Sequence, residues 1–436
     1  MRFSWFLFAI CIAGCGSNPE SFTNAPNRGE GAPGEAAESG KTRDTSPNVS
    51  DDDLAALTSG NADFAWNLYR EVIEPDQNVF FSPFSLSVAL AMTWAGARGS
   101  TETQMAEALR FDLGQKRLHS AFNRLELELA SRADGASDPD TLAPDALPFE
   151  LNVSNGLFAQ VGFTFADSFL DDLAVNYGAG VRLMDFENDS AGAASAINAW
   201  VAERTNDRIK DLLQGLSPLT RLVLVNTILF TASWAEAFDE SQTKDLVFHR
   251  ADGSEVVASG MNQVVSAGYA RGDGFAVVAL PYDGFQLSML VVVPDAGELE
   301  SIEGSLSAAW VAGVLGQLTP HDVVLTLPKF TFRSRVPIKD PLRRLGMSDA
   351  FMAGVADFSG MTGGENGLFI QDVIHEAFVA VDERGTEATA ATAVVVGVES
   401  SPPAATLVVD RPFIFAILDR PTGAMLFAGR VMDPTR

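Results

Sequence analysis

The stretch VIHEAFVAVDERGTEATAATAVVVGVESSPP, from Val373 to Pro403, decides how this chain is read. Its first part, Val373 to Asp382, is rich in Val, Ala and Phe and predicts a buried strand entered at His375. From Gly385 the residues are small or β-branched, with no Pro, no aromatic and one charge, until Gly397 and the pair Pro402-Pro403 stop the run. Side chains in a strand alternate between faces, so Thr386, Ala388, Ala390, Thr392, Val394 and Val396 share one face, and Glu387, Thr389, Ala391, Ala393 and Val395 share the other. The only charge lies at the entry, which suits the segment to burial as a central strand. Its flank, Glu399-Ser400-Ser401-Pro402-Pro403, reads instead as exposed and cleavable. Strand chemistry therefore stands where a loop is expected.

The run from Glu383 through Arg384, Gly385, Thr386, Glu387, Ala388, Thr389, Ala390 and Ala391 to Thr392 closely resembles the hinge of the reactive-centre loop in inhibitory serpins, with Thr389 in place of the more usual Ala. Four further stretches are similar to the same family. They are Asn78 to Leu109, Leu222 to Phe238, Leu280 to Asp295 and Leu327 to Phe351. The resemblance spans Asp53 to Pro434. It implies one α+β domain, residues 51–436, built on a large, mostly antiparallel central sheet with two further sheets and about nine helices. No metal or cofactor is implied, and a monomer is expected.

The first fourteen residues hold one Arg and a short apolar run, a signal peptide too short to span a bilayer. Ile12-Ala13-Gly14-Cys15 resembles the lipobox of bacterial lipoproteins, which implies cleavage before Cys15, lipid on that residue and a membrane anchor in the cell envelope. Gly16 rather than Asp after the cysteine favours the outer membrane or cell surface. Cys11 leaves with the signal, so Cys15 has no partner for an internal disulfide. From Gly16 to Ser50 the only large apolar residues are Phe22 and Val49, which predicts a disordered tether over residues 15–50 with a reach of ~30 Å.

Composition excludes several functions. The chain is 47% hydrophobic with 30 Phe, enough for a large core. Its net charge of −27, or −28 once Arg2 has left, repels nucleic acid and other polyanions. Lys116 and Arg117 are the nearest approach to a basic patch and read as solvated surface. No G-x-S-x-G elbow, P-loop or dinucleotide fingerprint is present, and His375-Glu376 lacks the second histidine of a zinc-protease helix. Of the four histidines, His119, His249, His321 and His375, spacing alone leaves a triad through His375 open. A buried polar ring that must be hydrogen-bonded explains His375 without catalysis.

Local patterning places the other elements. Helices are expected over Asp53 to Glu74, Leu86 to Ala95 behind a Ser82-Pro83 cap, Asp167 to Tyr177 and Ala193 to Ile209. Strands are expected over Leu151 to Gln160, Arg221 to Phe230, Phe275 to Leu280, Gln286 to Val293 and Val323 to Phe332. Ser131 to Leu147 reads as an acidic loop, and a hairpin turned at Arg420 to Gly423 ends the chain.

The family mechanism gives these residues roles. A protease attacks the exposed loop, about 385–410, as a substrate and forms an acyl-enzyme. Before deacylation the cut loop inserts into the central sheet and drags the protease with it. Ser82 and Ser85 on a helix, Asn226 on one strand and His375 on its neighbour would form the polar cluster beneath the point where the sheet opens, the shutter. Each of these could instead be satisfied locally. Trp234 would stand at the upper end, the breach. Counting from the hinge puts the scissile bond at Glu399-Ser400; counting back from Arg411-Pro412 moves it toward Ser401. Cleavage after Glu399 implies a glutamate-cleaving serine protease, and cleavage after Val398 or Val396 an elastase-like one. Trypsin-like targets are disfavoured, because no Lys or Arg lies between Gly385 and Asp410. Apart from Glu387, the run from Thr386 to Val396 carries no bulky, charged or Pro residue that would block insertion. A non-inhibitory, tethered binding or structural protein is the alternative.

Overall fold

The computed structural model describes residues 33–135, 149–364, 367–386 and 404–436. After the short strand β1 (Glu35–Ala37), helix α1 (Asp51–Val72) starts where the Ser50 hydroxyl accepts the Asp53 N–H, with three Asp in its first turn against the helix dipole. Strand β2 (Val79–Phe81) leads into α2 (Pro83–Trp94), capped by Ser82 and buried at every residue. Three helical segments follow, α3 (Gly99–Leu109), α4 (Gln115–Ala130) and α5 (Arg132–Gly135). Next come β3 (Glu150–Gln160), α6 (Asp167–Tyr177), β4 (Val181–Met184), α7 (Phe186–Arg204) and β5 (Leu222–Ser233). The middle of the chain is mostly strand: β6 (Lys244–His249), β7 (Glu255–Gly272), β8 (Phe275–Pro281), β9 (Leu287–Pro294), then α8 (Leu299–Ser305), α9 (Ala308–Gln317), β10 (Thr319–Pro328) and β11 (Phe330–Pro337). The rest is α10 (Lys339–Arg344), α11 (Ser359–Thr362), β12 (Ile370–Val381), β13 (Gly385–Thr386), β14 (Ala404–Val408), β15 (Phe413–Asp419) and β16 (Met425–Val431). Of these eleven helical segments, α5 and α11 are four residues long, which leaves nine longer helices among the described residues.

Two sheets carry the strands. The central one has seven strands in the order β1-β4-β3-β5-β13-β12-β11, and it is mostly antiparallel, with β3–β4 and β5–β12 as its parallel pairs. The two further sheets expected from the sequence are joined into one of nine strands. The reason is β7, 18 residues without a break, which pairs with β6 at its start, β10 along its middle and β8 at its end. The strand expected over Val323 to Phe332 is likewise two strands in different sheets. Pro328 offers no N–H to continue the ladder with β7, and Phe330 opens a new one opposite Val381. Helix α7 starts seven residues earlier than its apolar spacing predicts, because Asp185 accepts the Asn188 N–H as a cap, and it kinks at Asp189.

Helix α2 lies between the sheets, against β3 and β5 on one side and β16 on the other. On the outer face of the central sheet α7 closes a second core, in which Ile197, Trp200 and Val201 meet Val223 and Val225 of β5 and Ile374 of β12. The β5–β12 boundary is thus packed on both faces.

The tether expected over residues 15–50 is not free along its later part. Glu35, Ala36 and Ala37 pair with Leu183, Arg182 and Val181 at the edge of the central sheet. Lys41 reaches Asp171 at 2.7 Å, and Arg43 reaches Glu126 at 2.8 Å and Asn123 at 2.7 Å. The free edge of β4 and the buried Glu126 carboxylate each require a partner, and the arm supplies both.

Candidate functional site: the seam between β5 and β12

Strands β5 and β12 run side by side in parallel from Leu222 and Ile370 to Ile228 and Ala377, with Asn226 opposite His375. The expected cluster assembles there. Ser82 caps α2, accepts the Ser85 N–H at 3.1 Å and donates its hydroxyl proton to the Leu426 carbonyl at 2.7 Å. The backbone N–H of Ser82 donates to His375 Nε2 at 3.0 Å. A ring nitrogen that accepts an N–H carries no proton, so the proton sits on Nδ1 and is donated to Asn226 Oδ1 at 2.7 Å. The amide of Asn226 then donates to Ser85 Oγ and to Asn155 Oδ1. His375 is fully buried, and burial pulls its pKa down to about 3, which keeps the imidazole neutral. The cluster ties helix α2 and strands β3, β5 and β12 into one knot and holds no general base poised for catalysis.

Above Ala377 the two strands separate, and β13 occupies the gap. Thr386 pairs antiparallel with Val381 of β12 and with Ala232 of β5, and Gly385 pairs with Ser233. Gly385 is required by space: a Cβ built on it would lie 2.0 Å from the Ala232 carbonyl oxygen. Thr386 is buried, and its hydroxyl hydrogen-bonds Tyr282 at 2.7 Å.

Trp234 secures the turn that feeds β13. Its ring N–H donates to the Asp382 carbonyl at 2.9 Å, its backbone N–H to the Arg384 carbonyl at 2.7 Å, and its ring stacks on Tyr282 with centroids 4.7 Å apart. Glu383 is buried beside it, paired with Lys329 at 2.7 Å and accepting the Thr243 hydroxyl at 2.7 Å. Burial pushes the Glu383 pKa up, but the bonds from Lys329 and Thr243 outweigh it, and the net shift is downward. Glu383 is thus held in the turn that feeds β13.

The structure thus brings together Ser82, Ser85, Asn226 and His375 at one level of the seam, and Trp234, Glu383, Gly385 and Thr386 at its top. Glu387, Ala388, Thr389, Ala390, Ala391 and Thr392, the bond candidates Val398, Glu399, Ser400 and Ser401, and Cys15 lie outside the described residues. Sequence reading missed Asn155, Tyr282, Lys329 and Thr243. Asn155 carried a weak signal, as one of the polar residues, with Asn152 and Ser154, that interrupt the apolar residues of its strand. Tyr282 did not, because its turn surroundings conceal that it faces Trp234.

Known proteins give the same architecture. The family model described as serpin (serine protease inhibitor) matches residues 59–434, and the chain belongs to that family. An uncharacterized serpin-like protein of Thermococcus kodakarensis is 40% identical over 376 residues, 85% of this chain and 84% of that protein. The leukocyte elastase inhibitor of Sus scrofa is 37% identical over 398 residues, 87% of this chain and all of the relative. Among solved structures, native tengpin, a thermophilic serpin, superposes with a TM-score of 0.79 at 26% identity, covering 92% of this chain and 100% of its own.

Proposed function

We propose that the protein is a suicide-substrate inhibitor of serine proteases, anchored to a bacterial envelope membrane through lipid on Cys15. The observation that carries this reading is β13, two residues already seated antiparallel between strands that lower down touch each other in parallel. Continuing the Thr386 register two residues at a time pairs Ala388 with Val379, Ala390 with Ala377 and Thr392 with His375 on β12. On β5 it pairs Ala390 with Ile228 and Thr392 with Asn226. The same inserted residue, Thr392, falls opposite both members of the His375–Asn226 bond, so insertion replaces that bond and exchanges one parallel pairing for two antiparallel ones, the more stable kind per residue. The small residues from Thr386 to Val396 suit such a strand.

A protease that has opened Glu399-Ser400, or a bond within about two residues, would be carried down the seam as its acyl-enzyme. The relatives named leukocyte elastase inhibitor support an elastase-like target, and Glu399 supports a glutamate-cleaving one. Mixing the protein with an elastase and with a glutamyl endopeptidase tests the proposal. The expected result is an adduct that survives SDS and a released peptide beginning at Ser400 or a neighbour. Cleavage by both enzymes with no adduct would contradict it for these targets.

A further inference from the structure

A cavity of about 520 Å³ lies between the β6–β7 turn, the start of α8 and the segment that precedes β15. Pro294, Ala296, Leu299 and Pro412 give it an apolar wall, and its volume suits a small organic ligand. Its charged lining is unequally satisfied. Each arginine has its own carboxylate, Arg250 with Asp433 at 2.7 Å and Arg411 with Asp410 at 2.8 Å, and His249 lies 3.3 Å from Glu255. Asp295 is likewise paired, with Arg271 at 2.8 Å.

Glu303 is itself ion-paired with Arg430 at 2.9 Å, which leaves its second oxygen and the Glu300 carboxylate. Glu300, at the mouth, has no ionic or hydrogen-bonding partner among the described residues. Glu303 is 7% exposed, and only its Oε1 is engaged, by the Tyr69 hydroxyl at 2.6 Å and Arg430 Nη1 at 2.9 Å. Its Oε2 has no hydrogen-bonding partner among the described residues, and Glu303 lines the cavity. A nearly buried carboxylate oxygen fixed in place by two donors to its sister atom is a preorganised acceptor.

We infer that this cavity is a binding site for a small organic cation with an apolar body, the ammonium or amidinium group on Glu303 and Glu300 and the apolar part against Pro294, Leu299 and Pro412. The chain's net charge of −27 draws cations toward it at long range. The site stands apart from the inhibitory reading and does not depend on it.

Calorimetry or ligand-observed NMR on the full chain tests the site with three probes of one shape, 2-phenylethylammonium, 2-phenylethanol and 3-phenylpropionate. The amine is expected to bind one to one and saturably, at least tenfold more tightly than the alcohol or the acid. Ala296→Trp, at an exposed rim position, fills the cavity without touching the Tyr69–Glu303–Arg430 cluster, and Glu303→Gln removes the charge. Each is expected to weaken amine binding at least tenfold, the first with an unchanged melting temperature. Equal binding of the acid, amine binding that survives Ala296→Trp, or the absence of saturable amine binding would each overturn the assignment.

Discussion

His375 and Asn226 face each other across the one parallel seam at the middle of the central sheet, and their 2.7 Å hydrogen bond closes it. The bond needs a neutral imidazole, because Nε2 already accepts the Ser82 N–H. Its folded pKa, about 3, lies below the usual 6.5, so the stabilisation is complete above pH 6.5 and is lost as pH falls toward 3. Each unit in that window costs about 1.4 kcal/mol. Buried His119, pulled down to about 4, adds a similar slope. Denaturant midpoints from pH 7 to pH 4.5 are expected to fall steeply, and His375→Gln is expected to remove about half of the slope. An unchanged slope in that variant would place the acid sensitivity elsewhere.

Thr392 is the residue whose extrapolated register meets both His375 and Asn226. Thr392→Arg is expected to leave the uncut protein folded with a normal melting temperature, while the cut loop halts above the shutter. Gels would then show cleavage in place of adduct. Full adduct yield from this variant would mean that the register of β13 does not continue.

Gly385 admits no side chain. In Gly385→Ala the new methyl meets the Ala232 carbonyl, so β13 is expected to leave the gap at a cost of about 1 to 3 kcal/mol. Limited proteolysis should nick the loop faster than in the parent chain, and a smaller share of encounters should end in adduct.

Lys329→Met strands the buried Glu383 carboxylate. Because Lys329 is 39% exposed, the expected loss is modest, about 1 to 3 kcal/mol. Tyr282→Phe removes only the bond to Thr386 and should cost about 1 kcal/mol. Both are read as lowered melting temperatures of the uncut protein, and because Glu383 and Thr386 are already seated before cleavage, the same deficit is expected to persist once the loop has been cut.

The sequence made some of this legible and hid the rest for physical reasons. Ser82, Ser85, Asn226 and His375 stand out as polar residues in apolar surroundings, and the family resemblance says that they meet. That Asn155 completes the cluster depends on strand register, which a single sequence does not encode. Lys329 is separated from Glu383 by 54 positions, and only the pairing of β11 with β12 makes them neighbours. The docking of Glu35 to Arg43 was invisible because the arm is polar: it is held by edge hydrogen bonds and ion pairs rather than by an apolar face. The fusion of the smaller sheets was missed because β7 looks like ordinary strand throughout, and its length matters only through its three partners.

The central claim is that a cut loop becomes a strand between β5 and β12, and the melting temperature before and after cleavage tests it most directly. The hydrogen bonds of about a dozen added strand residues, on the order of 10 kcal/mol, are offset by an ordering cost of about 1 to 2 kcal/mol apiece, so a rise in melting temperature reports strain released from the uncut fold. That rise is expected after a single cut near Glu399, whether or not the cutting protease is trapped. A cut protein that melts at or below the temperature of the intact one would contradict insertion.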